Sequence, residues 1–313
     1  MRASGGQRIE WDDVDADIRL AIEAHLGAPI IDARNQTGGF SPGLAARCTL
    51  ADGRRAFVKA VSPAQNPHAC RIHRREAEVA AQLPVELPVP RLLHVVDDGH
   101  WVALVFEEIE GVQPDEPWTH EQLAVVLPAL QRFAELATPT PAPGLQAVDS
   151  RYGVAFQGWR QLAAGDADPS SYGPDVVAAV DRLAVLEAPW AEAATGDSLL
   201  HADLRADNLL LSPTGEVVLV DWPWACTGAA FFDLVLLLPS VGLTGGPDPG
   251  TVIAEHRLFV DVDADALVSV FAALAGFFVR QSLEPAPAGL PTIRSFQRAQ
   301  AEVALGWLLP RLG

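Results

Sequence analysis

The residues best placed to do chemistry begin at His201-Ala202-Asp203-Leu204-Arg205-Ala206-Asp207-Asn208. Three leucines, a Ser-Pro-Thr-Gly turn and the run Val217–Asp221 follow. Two apolar runs around such a turn predict a β-hairpin. With a loop of two or four residues centred between Thr214 and Gly215, Asn208 falls directly opposite Asp221. An amide oxygen and a carboxylate then lie side by side at the open end, with Asp203 in reach. Such hard oxygen donors suit Mg2+, which takes one or two carboxylates and completes its octahedron with water and substrate phosphates. Asp203 is left to accept a proton from an attacking hydroxyl, and the set is a parts list for phosphoryl transfer. Singly, Asp and Asn often do no more than flank turns; the spacing of the set argues for chemistry. His201 reads as a metal ligand or, better supported, as a residue that orients the loop. Asp207 reads as exposed or loop-capping, and Asp233 as a helix cap or a hydrogen-bond partner of the loop.

A triphosphate must then be held elsewhere. Of 22 basic residues, Lys59 is the only lysine. It lies in the run Ala56–Val61, where strand alternation puts it on one face with Phe57 and Val61. A lysine on an apolar face needs a partner or an anionic ligand. In the following helix Ile72, Glu76, Val79 and Leu83 form one stripe, so Glu76 is the acid among inward-facing positions. A Lys59–Glu76 ion pair under a nucleotide follows, against the alternative of an exposed lysine and an incidental glutamate. Glu78, on a face with Arg71, Arg75 and Gln82, reads as solvated. The turn Gly38–Gly43, with Gly39 and Ser41, either lies over phosphates with its backbone N–H groups or is only a hairpin. It matches neither the Rossmann nor the Walker A spacing.

The elements that must position these groups change character along the chain. Asp12 or Asp13 can cap a helix that buries Ile18, Ala21, Ile22 and Leu26 and stops at Gly27. Strands are predicted over Ile30–Gln36, Leu44–Leu50, Arg55–Val61, Arg91–Val96 and Trp101–Phe106, with a helix at about His68–Leu83. Glu110–Pro117 reads as a connector. Beyond Thr119 helical patterns dominate, near Pro174–Leu186, Ala229–Leu238, Asp263–Leu283 and Thr292–Leu309; only Leu199–Trp222 carries strand-type runs. A β-rich lobe over residues 1–108 therefore precedes a mostly helical lobe over 109–313, and clefts between lobes are where small-molecule sites form.

Composition narrows the function classes. A net charge of −18 argues against a nucleic-acid backbone or an anionic membrane as partner. It leaves open a cationic substrate or a merely acidic surface. Cys48, Cys70 and Cys226 show no metal-ligand spacing and suit a reducing compartment. The start of the chain has no basic segment leading into an apolar run. The apolar stretches Phe231–Leu238 and Val270–Val279 fall short of the roughly 20 residues that cross a bilayer. A cytoplasmic protein is expected. Trp159, Trp222 and Trp224 are candidates to line a pocket for a sugar or quaternary amine, with core packing as the alternative role.

The motif His201–Asn208, the Asp in Val220-Asp221-Trp222, and Lys59 with Glu76 resemble the aminoglycoside phosphotransferase and choline kinase-like family, over nearly the whole chain. The resemblance implies an α+β, two-lobed protein-kinase-like fold, with a small antiparallel-sheet N-lobe and a larger helical C-lobe. It implies ATP or GTP between the lobes, held by Lys59 and Glu76 and by a hinge at Phe106, Glu107 and Ile109. No glycine-rich loop of protein-kinase form stands in the sequence, and Gly39 and Ser41 are the candidate phosphate contacts in its place. It further implies Mg2+ on Asn208 and Asp221, Asp203 as base, and a hydroxyl acceptor (an aminoglycoside-like antibiotic, an amino sugar or an amino alcohol) among the C-lobe helices. Asp221-Trp222-Pro223 in place of Asp-Phe-Gly argues against a protein kinase, and Ala202 stands where the family commonly has Gly. A non-catalytic nucleotide-binding protein of the same fold is the alternative.

Overall fold

The computed structural model describes residues 8–36, 38, 42–287 and 290–312; Gly39 and Ser41 lie outside them. Helix α1 (Ala16–Leu26) is capped by Asp15, whose side chain accepts from Asp17 N, and ends at Gly27 in the left-handed region. Asp12 and Asp13, expected as caps, instead form a short 3-10 turn ahead of it. Strands β1 (Ile30–Asn35), β2 (Leu44–Leu50) and β3 (Arg55–Val61), helix α2 (Pro67–Ala80), and strands β4 (Leu92–Asp97) and β5 (Val102–Glu107) follow. The strands make one antiparallel sheet in the order β1-β2-β3-β5-β4. One face packs on α1 through Val58, Ala103 and Val105. The other, through Val61, Leu104 and Phe106, meets α2.

The remainder is mostly helical: α3 (His120–Leu136), α4 (Val148–Tyr152), α5 (Gly158–Ala163), α6 (Pro174–Glu187), α7 (Trp190–Ala193), α8 (Phe232–Leu243), α9 (Pro249–Glu255), α10 (Ala264–Ser282) and α11 (Ile293–Leu308). Between α7 and α8 run four short strands, β6 (Ser198–Leu200), β7 (Leu209–Leu211), β8 (Val217–Leu219) and β9 (Cys226–Gly228), paired as β6–β9 and β7–β8. The strand Cys226–Gly228 was not expected, because a three-residue Cys-Thr-Gly run carries no alternation to read.

The β7–β8 register corrects the expected one. Leu209 pairs with Leu219 and Leu211 with Val217, so Asn208 stands opposite Val220, whose N–H it receives at 3.0 Å. The loop has three residues, not two or four, and closes with Gly215 at φ +83. The β2–β3 turn is built the same way, with Gly53 at φ +84. A type I turn ending in a left-handed glycine is the usual three-residue hairpin solution.

The lobes are tied at several points. The expected connector does not run free: Val112 bonds Leu211 in both directions, at 3.0 and 2.8 Å. Leu219 N donates to Pro88 O at 2.9 Å. Arg75, on the helix face it shares with Glu78, reaches across from α2 to the carbonyls of Pro223 (2.7 Å) and Ala225 (3.1 Å).

Helix α10 is longer than the apolar run read from the sequence. Its 19 residues, at mean hydropathy 1.4, are long and apolar enough to cross a membrane by composition, yet 56% of that stretch is buried inside the fold. It packs on α5, α6 and α11. At the α5 crossing Gly158 lies against Gly276, where a Cβ on Gly158 would come within 2.1 Å of the Gly276 carbonyl. Gly158→Ala is therefore expected to destabilise the fold by about 3 kcal/mol, since backbone cannot give way as a side chain does; thermal melting of the purified variant reads this.

Candidate active site

Lys59 sits mid-strand on β3, paired with Ala45 of β2 and Leu104 of β5. Its Nζ donates to Glu76 Oε1 and to Asp221 Oδ1, each at 2.6 Å. The expected pair with Glu76 forms, and a second partner from the far lobe joins it. Burial disfavours the Lys59 ammonium, but Asp221 and Glu76 outweigh it and push its pKa to about 12. Burial also works against the Asp221 carboxylate, yet the Lys59 ammonium above all, with Arg205, brings it down to about 2. Lys59 cannot offset both acids equally: burial, with Asp221 adding, pushes Glu76 up.

The face of α2 that meets this cluster also carries His73, buried beside Glu76. Burial, then Lys59, lower His73 to about 4, so it is neutral, with Nδ1 against Ala69 O. Sequence reading missed His73 because it traced the stripe through Ile72, which is only half-buried.

Loop backbone sets the opposite wall. Asp221 takes φ +72 and Ala202 φ +60, left-handed conformations that cost a side-chain-bearing residue about 1 kcal/mol or more. Asp233 holds the loop there. Its two carboxylate oxygens accept the N–H groups of His201 (2.6 Å) and Ala202 (2.8 Å), which decides between the two roles open to it; no side chain caps α8. His201 is fully engaged: Nε2 lies 2.9 Å from Val220 O and Nδ1 receives Asp203 N at 3.3 Å. Those partners assign the neutral Nε2–H tautomer, and burial keeps the ring uncharged. It orients the loop and has no nitrogen to offer a metal.

Asp203 is paired with Arg205, Nη1 to Oδ1 at 2.6 Å. Burial lifts its pKa to about 6 against the pull of Arg205, with Asp207 and Asp221 adding to the rise. Arg205 also grips Asp207 with Nε and Nη2, both at 2.9 Å. Asp207 is thus largely buried rather than exposed, its side chain 13% accessible. Asn208 is buried, and its Nδ2 donates to Asp203 O at 2.8 Å, which turns Oδ1 away. Asn208 Oδ1 and Asp221 Oδ2 therefore remain without hydrogen-bond donors among the described residues. Two hard oxygens with phosphates and water suffice for Mg2+. Among the described residues no cluster of three or more His, Cys, Asp or Glu forms an all-protein cage.

A cavity of about 490 Å3 opens between the lobes, and Asp203 and His201 are not among the residues that line it. Lys59, Glu76, Phe106, Glu107, Ile109, Asn208 and Asp221 all border it, as do Gly38 and Pro42 on either side of the Gly39–Ser41 stretch. Phe106 lies beneath Lys59, 5.9 Å from Nζ to ring centroid. The Glu107 side chain turns away to Arg91, while the Ile109 backbone has no hydrogen-bond partner among the described residues. Arg8 was not foreseen: it enters the cavity and donates to Gly38 O at 2.6 Å. Of the three tryptophans, Trp159 is core and donates to Ala272 O. Trp222 is buried at the cavity floor, and Trp224 is half-buried with Arg151 over its ring at 4.1 Å.

Fold and site together define a two-lobed, protein-kinase-like phosphotransferase. The model of the phosphotransferase enzyme family (APH) matches residues 39–286, and the chain belongs to that family. Among solved structures, a thermostable mutant of aminoglycoside phosphotransferase APH(4)-Ia, in ternary complex with AMP-PNP and hygromycin B, aligns over 95% of this chain and 98% of its own. The TM-score is 0.64 at 13% identity. Choline kinase LicA from Streptococcus pneumoniae aligns over 92% and 98%, with TM-score 0.59 and 16% identity. At such identities the likeness speaks for the fold. Over 87 residues the chain is 36% identical to the homoserine kinase of Methylobacterium radiotolerans, a match spanning 27% of each protein.

Removing the Lys59 charge leaves two acids facing each other, one of them buried. Lys59→Met is expected to cost about 3 kcal/mol in a melting or denaturant experiment, and adding Glu76→Leu to it should restore part of that loss.

Proposed function

We propose that the protein transfers the γ-phosphoryl group of ATP or GTP to a hydroxyl of a small molecule. The observation that carries this reading is the Lys59 ammonium held at 2.6 Å by both Glu76 and Asp221, in the same cavity as Asn208. Residues 1–108 form the nucleotide lobe and 109–313 supply the base and the acceptor site. The complexes of the structural neighbours support a nucleotide here: one is bound to AMP-PNP and hygromycin B, another to AMP. The acceptor is an aminoglycoside-like antibiotic, an amino sugar or an amino alcohol, and the homoserine kinase match favours a small amine-bearing alcohol, with or without a carboxylate. Free, buried thiols at Cys48, Cys70 and Cys226 are consistent with a cytoplasmic setting.

Each residue then has a task. Lys59, oriented by Glu76, holds the α- and β-phosphates. Phe106 packs against the base, and the Glu107–Ile109 backbone offers it hydrogen bonds. Gly39 and Ser41 are assigned to phosphate contact. Asn208 and Asp221 would hold Mg2+, which when bound would offset charge on the transferred group. Asp203 orients the acceptor hydroxyl and accepts its proton as the oxygen forms a bond to the γ-phosphorus and the bond to the β,γ-bridging oxygen breaks. Arg205 favours the ionised form of Asp203 that this step needs. Asn208, through its 2.8 Å bond to the Asp203 carbonyl, links base and metal positions.

Asp203→Asn is expected to lower kcat by at least about a thousandfold while nucleotide affinity changes little, because the base contributes to chemistry and not to phosphate binding. Turnover near the wild-type rate in that variant would remove Asp203 from the mechanism. The acid limb of kcat/KM provides a second check. Protonated Asp203 cannot accept the hydroxyl proton, so activity should fall as pH drops through about 6, the value to which burial raises it. His201 and His73, both neutral, should leave no separate inflection there.

A further inference from the structure

The Asp203 side of the site holds one cation that the mechanism does not use. Arg151, in the last turn of α4, has no carboxylate within ion-pair distance among the described residues, and its Nε is buried without a hydrogen-bond partner. Its guanidinium stacks over Trp224 at 4.1 Å and lies 5.7 Å from the Tyr152 ring centroid. Both aromatic residues are anchored beside the catalytic loop. The Tyr152 hydroxyl donates to the carbonyl of Ala202, next to Asp203, and Trp224 lies in the segment that Arg75 clamps. Asp203 and Arg75 both lie close enough to act on the Arg151 charge.

A guanidinium stays charged at all working pH values, and burying one without a counter-ion is costly. Stacking on Trp224 offsets only part of that cost. Asp203 cannot serve as the missing partner, since Arg205 already holds it at 2.6 Å. The Nη groups, not among the buried unpartnered atoms, keep a fork of donors that matches two carboxylate oxygens. The Trp224 face on which an ammonium would rest is already covered by a cation.

We propose that Arg151 receives a carboxylate of the acceptor, so that the substrate is a hydroxyl-bearing carboxylic acid and not a polycation. The proposal rests on the phosphotransferase reading above, with Asp203 as base, and narrows its acceptor class. The net charge of −18, which left a cationic acceptor open, describes the whole surface and not this corner.

The test compares matched acceptors that differ in one group: hydroxy acids, their carboxamides, the corresponding amino alcohols, and a polycationic amino sugar. Nucleotide consumption and product mass are read for each. Wild type should use the carboxylates with kcat/KM at least about tenfold above the amides, the size expected of a charge-assisted contact. Arg151→Met, which keeps an apolar chain over Trp224, should lose that preference mainly through KM, and Arg151→Lys should recover part of it. Unchanged ADP binding and melting temperature in Arg151→Met would show that fold and nucleotide site survive. Preference for the amide, alcohol or polycation, or a carboxylate preference that persists in Arg151→Met, overturns the proposal and leaves the kinase reading standing. A wild-type chain that binds nucleotide but phosphorylates none of a broad panel of hydroxy acids overturns it too. Absence of nucleotide binding by the wild type overturns the underlying reading itself, and the proposal with it.

Discussion

The arrangement hinges on one ammonium shared between two carboxylates. Lys59 comes from a strand, Glu76 from the helix packed on that strand, and Asp221 from the other lobe, and both contacts measure 2.6 Å. Each acid is worth little to the fold without the cation, because a buried carboxylate left alone costs more than the pair returns. Satisfying Lys59 therefore positions α2 against the sheet and the Asp221 loop against both. The Arg75 clamp on Pro223 and Ala225 adds a neutral-acceptor strut beside the ionic one, so the lobe spacing does not rest on charge alone.

On the C-lobe side the same problem is met by backbone strain held in place by hydrogen bonds. Ala202 and Asp221 both sit at positive φ. Asp233 pins the first with two backbone N–H contacts, and His201 links Val220, next to the second, to Asp203 N. The consequence is functional: Asp203, Asn208 and Asp221 present oxygen atoms toward one region without any of them touching a metal-ligating histidine. Ala202, where the family commonly has Gly, shows that the constraint is on backbone conformation and that a methyl group is tolerated there.

Charge around the site is mixed, with single cations set among acids. Despite the net −18, Arg8, Arg47 and Lys59 line the cavity, and Arg75, Arg151 and Arg205 gather on the Asp203 side. Phosphates therefore meet a few fixed cations whose neighbouring carboxylates, Glu76, Asp221 and Asp207 among them, share the same cavity. A global count cannot report this, because electrostatics at a partly buried site is set by the nearest few charges.

Much of this was readable from residue order. Alternation and turn chemistry located the five sheet strands to within a residue or two, since burial of one face imposes its period directly on the chain. The spacing His201–Asn208 with Asp221, and one lysine facing one glutamate, named four residues that line the cavity, Lys59, Glu76, Asn208 and Asp221, while Asp203 lies outside its lining. What the sequence could not carry is whatever depends on packing between distant segments. The Lys59–Asp221 contact spans 162 positions; Arg75 shares a helix face with residues read as solvated, and only the other lobe's Pro223 and Ala225 carbonyls show what it binds. The Asn208–Asp221 register shifted by one because a three-residue loop and an even one leave nearly the same composition signature. Local sequence determined which chemical groups the protein owns and on which faces they emerge. Only the docking of the lobes decided which of those groups lose water together, and it is that shared loss of solvent that gives their charges meaning.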